Sequence, residues 1–329
     1  MIELTESGVC CPEGGFFIDP WRPVERAVVT HAHFDHTRRG CGSYLTTPQT
    51  ALLMKARLGT DLRIRTVRYG EAINVNGVRL SLHPAGHILG SAQVRLERNG
   101  EVWVVTGDFK RDPDPTCAPF EPLRCHGLVT ESTFGLPIFR WPDPETVTAE
   151  IGAWWRRNAA EGRPSLLFAY SLGKAQRILA GLDPAAGPIF THSAVEPIVQ
   201  LYREAGIRLA PTRAAAEARR KEELAGALVV APPAAEGSAW MGRAANASRA
   251  LASGWMQIRG NRRRRALDRG FVLSDHADWP ALLQTVAESG AERIWTTHGY
   301  AEELTRFLRE KGHGAEALLG GRAAGETDA

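Results

Sequence analysis

The segment Thr30-His31-Ala32-His33-Phe34-Asp35-His36, directly after the apolar run Ala27 to Thr30, constrains this chain more than any other feature. It packs four side chains of metal-ligating type into six residues. Alternate side chains of an extended segment share one face, so His31 and His33 reach a single metal ion together. Asp35 and His36 then turn onto the next element, expected to be a helix beginning near Asp35, where a carboxylate and a third imidazole hold a second metal. Two metals need more than four protein groups even when water is counted. His87, in Pro84-Ala85-Gly86-His87-Ile88-Leu89-Gly90, follows a strand-like run between glycines that let the backbone approach closely. Asp108, in Val105-Thr106-Gly107-Asp108-Phe109, ends another such run. Each alone reads as an ordinary turn residue; beside the first motif both read as ligands, Asp108 as the bridging carboxylate.

The 329 residues suffice for one large domain or two interlocked ones. With 43% hydrophobic and 23% charged residues the chain is an ordinary folded protein, apart from a Gly-, Ala- and acid-rich tail over Gly320 to Ala329. No apolar run approaches membrane-spanning length, and Glu3 and Glu6 stand where a secretory leader carries basic residues, so a cytoplasmic location with no membrane partner is expected. A net charge of +3 permits a nucleic-acid partner without requiring one. Only five of the forty cations are lysine, which suits bidentate phosphate binding by arginine and equally suits an Arg- and Ala-rich genome. The five cysteines include no C-x-x-C pair and read as reduced, structural residues.

Short apolar runs from Phe16 to Thr106 suggest the strands of a sandwich, with a helix over Pro48 to Leu58 and a further strand over Gly127 to Thr130. After Pro142 the pattern changes: helices at Glu145 to Arg157, Lys174 to Ala180 and Val195 to Glu204 alternate with strands at Ser165 to Tyr170 and Leu228 to Val230, as in a small α/β unit. Arg213 to Leu228 reads as a solvated helix. Strand-like runs return at Gly270 to Leu273 and Arg293 to Thr297, around a helix at Pro280 to Glu288.

The ligand pattern resembles the metallo-β-lactamase superfamily, in which H-x-H-x-D-H, a later His, a later Asp and a final His lie at the edge of an αββα sandwich. The resemblance covers the first 130 residues and the last 60. It implies that Asp19, in Phe17-Ile18-Asp19-Pro20, supports the site from behind the ligands; a plain turn aspartate before proline is the alternative. The unit between Asp108 and the final histidine further resembles the β-CASP nuclease branch. Its three additional motifs match Glu131 in Val129-Thr130-Glu131-Ser132-Thr133, His276 in Leu273-Ser274-Asp275-His276-Ala277-Asp278, and His298 in Thr296-Thr297-His298-Gly299. The implied fold is an αββα metallo-β-lactamase sandwich of residues 1–141 and 267–329 with a smaller α/β β-CASP-like domain, 142–266, inserted and the active site in the cleft between them.

The resemblance also implies roles. His31, His33 and His87 would hold one divalent metal, Asp35, His36 and His298 the other, and Asp108 would bridge them; Asp35, Asp108, Glu131 and His276 are the implied catalytic residues. Nitrogen-rich ligation suits zinc, while manganese or iron is also accepted. Two metals lower the pKa of a shared water and neutralise the phosphate, and His276, oriented by Glu131, donates the proton that the departing alkoxide needs. Asp275 is expected to cap the following helix. Ser171, Lys174 and Arg177, at a Gly-containing turn before a helix, are weaker substrate contacts whose alternative is a solvated helix start. Arg259 and Arg262 to Arg265 read either as backbone-tracking cations or as surface charge, and Trp240, Trp255 and Trp279 either as stacking or as core residues.

The compact length most resembles the bacterial ligase-associated DNA exonucleases. The expected function is therefore two-metal phosphodiester hydrolysis of DNA, from single-stranded or frayed ends, in repair beside an ATP-dependent DNA ligase. A ribonuclease is the runner-up, because a His at the last motif is associated with RNA-acting branches. A small-molecule hydrolase would give Glu131, His276 and the insertion no purpose, and a catalytically dead scaffold would be expected to lack ligands.

Overall fold

In the computed structural model, which describes residues 1–218, 220–237, 244, 246–258, 260 and 267–318, the chain divides into two compact units. Met1–Arg140 and the stretch from His276 form one; Trp141–Asp275 forms the other. Trp240, Arg259, Arg262 to Arg265 and the tail from Gly320 lie outside the described residues.

The larger unit is an αββα sandwich. Its first sheet takes six strands in chain order: β1 (Glu3–Thr5), β2 (Gly8–Cys11), β3 (Phe16–Ile18), β4 (Arg26–Val28), β5 (Ser43–Thr46) and β6 (Ile64–Thr66). The second contains β7 (Ala72–Val75), β8 (Val78–Pro84), β9 (Ala92–Arg98), β10 (Glu101–Val105), β11 (Gly127–Glu131), β18 (Arg293–Thr297) and β19 (Gly314–Ala317), in the order β19-β18-β11-β10-β9-β8-β7. β18 adds in parallel beside β11, with Glu131 level with Thr297. The period of two explains why both faces of this sheet are apolar. Trp103 and Val105 face the inter-sheet core with Ile18 and Val28, while Val102 and Val104 pack outward with Leu282, Val286, Leu304 and Leu308. Those last four belong to α5 (Trp279–Ser289) and α6 (Ala301–Glu310). α1 (Pro48–Leu58) starts on Pro48 behind Thr47, whose side chain accepts from Thr50 N.

The smaller unit is one parallel sheet, ordered β14-β13-β15-β12-β16-β17, from β12 (Ser165–Phe168), β13 (Ile189–Thr191), β14 (Arg213–Ala214), β15 (Leu228–Ala231), β16 (Ser248–Ala252) and β17 (Arg269–Phe271). Its central strands are buried on both faces, as parallel strands are. α2 (Pro144–Ala160), α3 (Lys174–Gly181) and α4 (Glu196–Glu204) cover the face carrying Leu167 and Val230.

Three local expectations are corrected. No helix begins near Asp35; the chain makes a turn there, with His36 and Thr37 amides both donating to His33 O. Arg213 to Leu228 is not a solvated helix among its described residues: β14 and short 3-10 turns at Ala215–Glu217 and Lys221–Leu224 replace it. Its small side chains are the reason, since Ala215, Ala218, Leu224 and Ala227 are buried against the sheet. Finally, the sequence pattern places Gly270 to Leu273 in the sandwich, but β17 pairs in parallel with β16, so the smaller unit runs to Asp275 rather than ending at residue 266.

Candidate active site

The hexad lies where β4 ends. Thr30 is anchored by its carbonyl, which accepts from Ala92 N at 2.9 Å, and by its amide and hydroxyl, which donate to Asp19 Oδ1 and Oδ2 at 2.8 and 2.6 Å. His36 Nδ1 donates to the same Asp19 Oδ2 at 2.7 Å, and His31 Nδ1 lies 3.0 Å from the Thr30 hydroxyl. With both Nδ1 atoms engaged, the Nε2 atoms of His31 and His36 are directed inward, the usual task of groups behind metal ligands. Asp19 adopts φ 44° and His298 φ 62°, left-handed backbone that costs about 1–3 kcal/mol per non-glycine residue. The cost is met locally: Asp19 takes three hydrogen bonds, and the Ser132 hydroxyl donates to His298 O at 2.7 Å.

His31 Nε2 and His87 Nε2 each stand 3.1 Å from His33 Nδ1. Nitrogens bound about 2.0–2.1 Å from one tetrahedral zinc stand roughly 3.3 Å apart, so this trio has the spacing of a ligand set. His87 reaches it because Gly86 (φ 73°) carries no side chain; a Cβ there would sit 2.2 Å from Lys110 O. Asp35, His36 and His298 form a second trio with donor atoms within 4.8 Å of one another, the His36 and His298 rings stacked at 5.0 Å. Between the trios lies Asp108, held after β10, with Oδ2 at 3.3 Å from His36 Nε2, 3.5 Å from His31 Nε2 and 3.8 Å from His87 Nε2.

Three buried atoms here, His36 Nε2, His298 Nδ1 and Asp108 Oδ1, find no hydrogen-bond partner among the described residues. Buried polar atoms rarely go unmatched, and two imidazole nitrogens beside a carboxylate oxygen fit divalent cations. Burial drives the His31 imidazole well below its ordinary pKa, leaving it neutral. Burial also opposes a charge on His36, but Asp108, Asp35 and Asp19 outweigh it and raise that imidazole well above its ordinary value. Asp108, despite its burial, is held well below the carboxylate range by His36 and His276. A cation entering the His36 trio therefore displaces a proton, whereas one entering beside His31 meets an imidazole already neutral. Affinity at the His36 trio should rise with pH and level off once pH passes the raised His36 pKa. Calorimetric titration of zinc in buffers of different ionisation enthalpy should show about one proton released per ion at the second trio at neutral pH; release independent of pH would contradict the assignment.

Glu131, at the end of β11, accepts from Phe109 N through Oε1 at 2.7 Å and faces His276 Nδ1 through Oε2 at 2.9 Å. The His276 ring lies 4.7 Å from that of His87, and its Nδ1 is 3.9 Å from Asp108 Oδ2. The structure thus brings together Asp19, His31, His33, Asp35, His36, His87, Asp108, Glu131, His276 and His298. Thr30 and Ser132, which fix Asp19 and His298, were not singled out, although both stand inside the quoted motifs.

The remaining expectations fare differently. Asp278, not Asp275, caps α5, accepting from Ala281 N at 3.0 Å. Asp275 is buried instead, 3.7 Å from both Lys174 Nζ and Arg177 Nη1, and Arg177 also donates to Ser274 O at 2.6 Å. Lys174 and Arg177 are only 1% and 6% exposed, so neither is a solvated cation. At the same turn the half-buried Ser171 gives its carbonyl to Gln176, whose Oε1 takes the Gly173 amide. Trp279 is a core residue, against Phe307, and Trp255 is half-buried. No helix among the described residues is long and apolar enough to cross a membrane.

No family model matches the chain. It is 34% identical over 318 residues to a "Probable DNA ligase" of Opitutus terrae, an alignment that takes in 94% of this chain and 30% of that protein. It is 34% identical over 125 residues to "Endoribonuclease YSH1" of Saccharomyces cerevisiae, covering 37% of this chain and 16% of the relative. The chain thus spans under a third of either relative's length. A crystal structure of a protein of unknown function from Enterococcus faecalis superposes with a TM-score of 0.61 at 13% identity, covering 91% of this chain and 80% of that one, a likeness of fold alone. The two-sheet sandwich, the two histidine-carboxylate trios around Asp108, and these relatives together are consistent with the β-CASP branch of the metallo-β-lactamase superfamily.

Proposed function

We propose that this protein is a metal-dependent nuclease that hydrolyses DNA, working from single-stranded or frayed ends in repair, in the cytoplasm and alongside an ATP-dependent DNA ligase. The observation that carries this reading is the Glu131–His276 pair at 2.9 Å beside the Asp108 cluster, since a small-molecule hydrolase needs only the metals. His31, His33 and His87 would hold one cation, Asp35, His36 and His298 the other, and Asp108 lies between. The cations, zinc by their nitrogen-rich ligands with manganese or iron as substitutes, supply a water of lowered pKa and neutralise phosphate charge. His276 gives a proton to the departing O3′ as the P–O3′ bond breaks, leaving a 5′-phosphate, and Glu131 holds the imidazole for that transfer. The ligase-named relative, aligned along 94% of the chain, supports DNA. His298 and the endoribonuclease relative favour RNA as the second reading.

Digestion of 5′- and 3′-labelled single-stranded DNA and matched RNA, with zinc or manganese, separates the two. Mononucleotide release from DNA by the wild type, lost in Asp108→Ala and His276→Ala, is the expected result. Cleavage of RNA alone would make this a ribonuclease, and cleavage of neither would return the protein to the small-molecule or scaffold classes.

A further inference from the structure

We propose that Phe34, backed by Arg57, is a stacking subsite for an unpaired nucleobase of the cleaved strand, an inference that rests on the nuclease reading. Within Thr30 to His36 every other residue is buried or half-buried, yet Phe34 keeps 42% of its surface exposed. A single exposed aromatic is ordinary; what distinguishes this one is its place and its rigidity. It stands between His33 and Asp35, one residue from each ligand trio, at the outer corner of the His33 turn. Its carbonyl accepts from Arg38 Nη1 at 2.5 Å. The Arg57 guanidinium, from the last turn of α1, lies 3.8 Å from the ring centroid and donates to Ala32 O at 2.6 Å.

The ring is thus fixed from the chain side and from behind, one residue along the chain from a member of each trio. Any base has a π-face, so such a platform tolerates sequence, and a guanidinium behind the ring adds its own attraction. A base inside a duplex has both faces covered. The platform therefore selects unpaired strands by chemistry rather than by groove shape. Were the ring merely a cover for Arg57, leucine would serve as well as tryptophan.

The test measures kcat and KM of the full, metal-loaded chain on a single-stranded oligonucleotide and on the same strand with a tetrahydrofuran abasic residue flanking the cleaved linkage. Metal content and melting temperature are recorded for each variant. Phe34→Ala and Phe34→Leu should lower kcat/KM by about tenfold to a hundredfold on the base-bearing strand, the range base–aromatic stacking spans, while Phe34→Trp stays near wild type. On the abasic strand the penalty should shrink to within about twofold, since the stacking partner is gone. Equal activity of Phe34→Leu and wild type, or the same penalty on both strands, overturns the subsite and leaves the nuclease reading standing. If the wild type cleaves neither DNA nor RNA, the nuclease reading falls and takes the subsite with it.

Discussion

Asp108→Ala should cost the protein its cations and about a thousandfold or more of its turnover, because a metal supplies several kcal/mol of transition-state stabilisation and each 1.36 kcal/mol is tenfold. The expectation follows from position. Asp108 is 4% exposed, and its Oδ2 is within 3.9 Å of four imidazole nitrogens, those of His31, His36, His87 and His276. Removing it leaves two nitrogen-rich trios with no shared anion. It also leaves the raised proton of His36 without its strongest counter-charge, so the cation-free variant should be less stable at neutral pH as well. Asp108→Asn, which keeps the shape and loses the charge, separates the two effects: packing survives, metal binding does not. Elemental analysis per chain, read beside the rate, decides the matter. Full metal content with turnover within tenfold of wild type would remove Asp108 from the centre of the site.

His276→Ala should behave in the opposite way, keeping its metals while losing roughly 10²- to 10⁴-fold in rate, the span that general acid catalysis covers. The discriminating measurement is leaving-group dependence. A nitrophenolate departs without a proton, so on a nitrophenyl phosphodiester the loss should shrink to about tenfold or less. Glu131→Gln keeps an oxygen for the Phe109 amide but withdraws the carboxylate from His276, and should give a smaller loss of the same kind. Because both residues act on one proton, the double variant should be little worse than His276→Ala. A loss uniform across leaving groups would mean that His276 positions the site rather than protonating the product.

The candidate ligands were legible as one cluster because each stands at a strand end in a local motif, and strand ends survive any rearrangement of the sheets. The parts that were not legible depend on distant partners. Gly270 to Leu273 has the composition of a strand in either unit, and only its pairing with β16 decides where it belongs. Lys174 and Arg177 begin a helix in the same pattern whether water or Asp275 takes their charge. Asp275 and Asp278 are both plausible caps by spacing, and the structure gives the cap to the one whose carboxylate reaches Ala281. Arg213 to Leu228 misled because alanine suits a solvated helix and a buried turn equally well.

The parallel seating of β18 against β11 carries a consequence in time. A chain emerging from the ribosome presents His31, His33, Asp35, His36, His87 and Asp108 early, but His298 follows Thr297, which must first draw level with Glu131 across more than 160 residues of intervening chain. Pairings so distant in sequence form late and slowly. A nascent chain that has not yet reached β18 thus holds six of the seven candidate ligands and an open slot beside β11, and the second trio is completed only once that slot is filled.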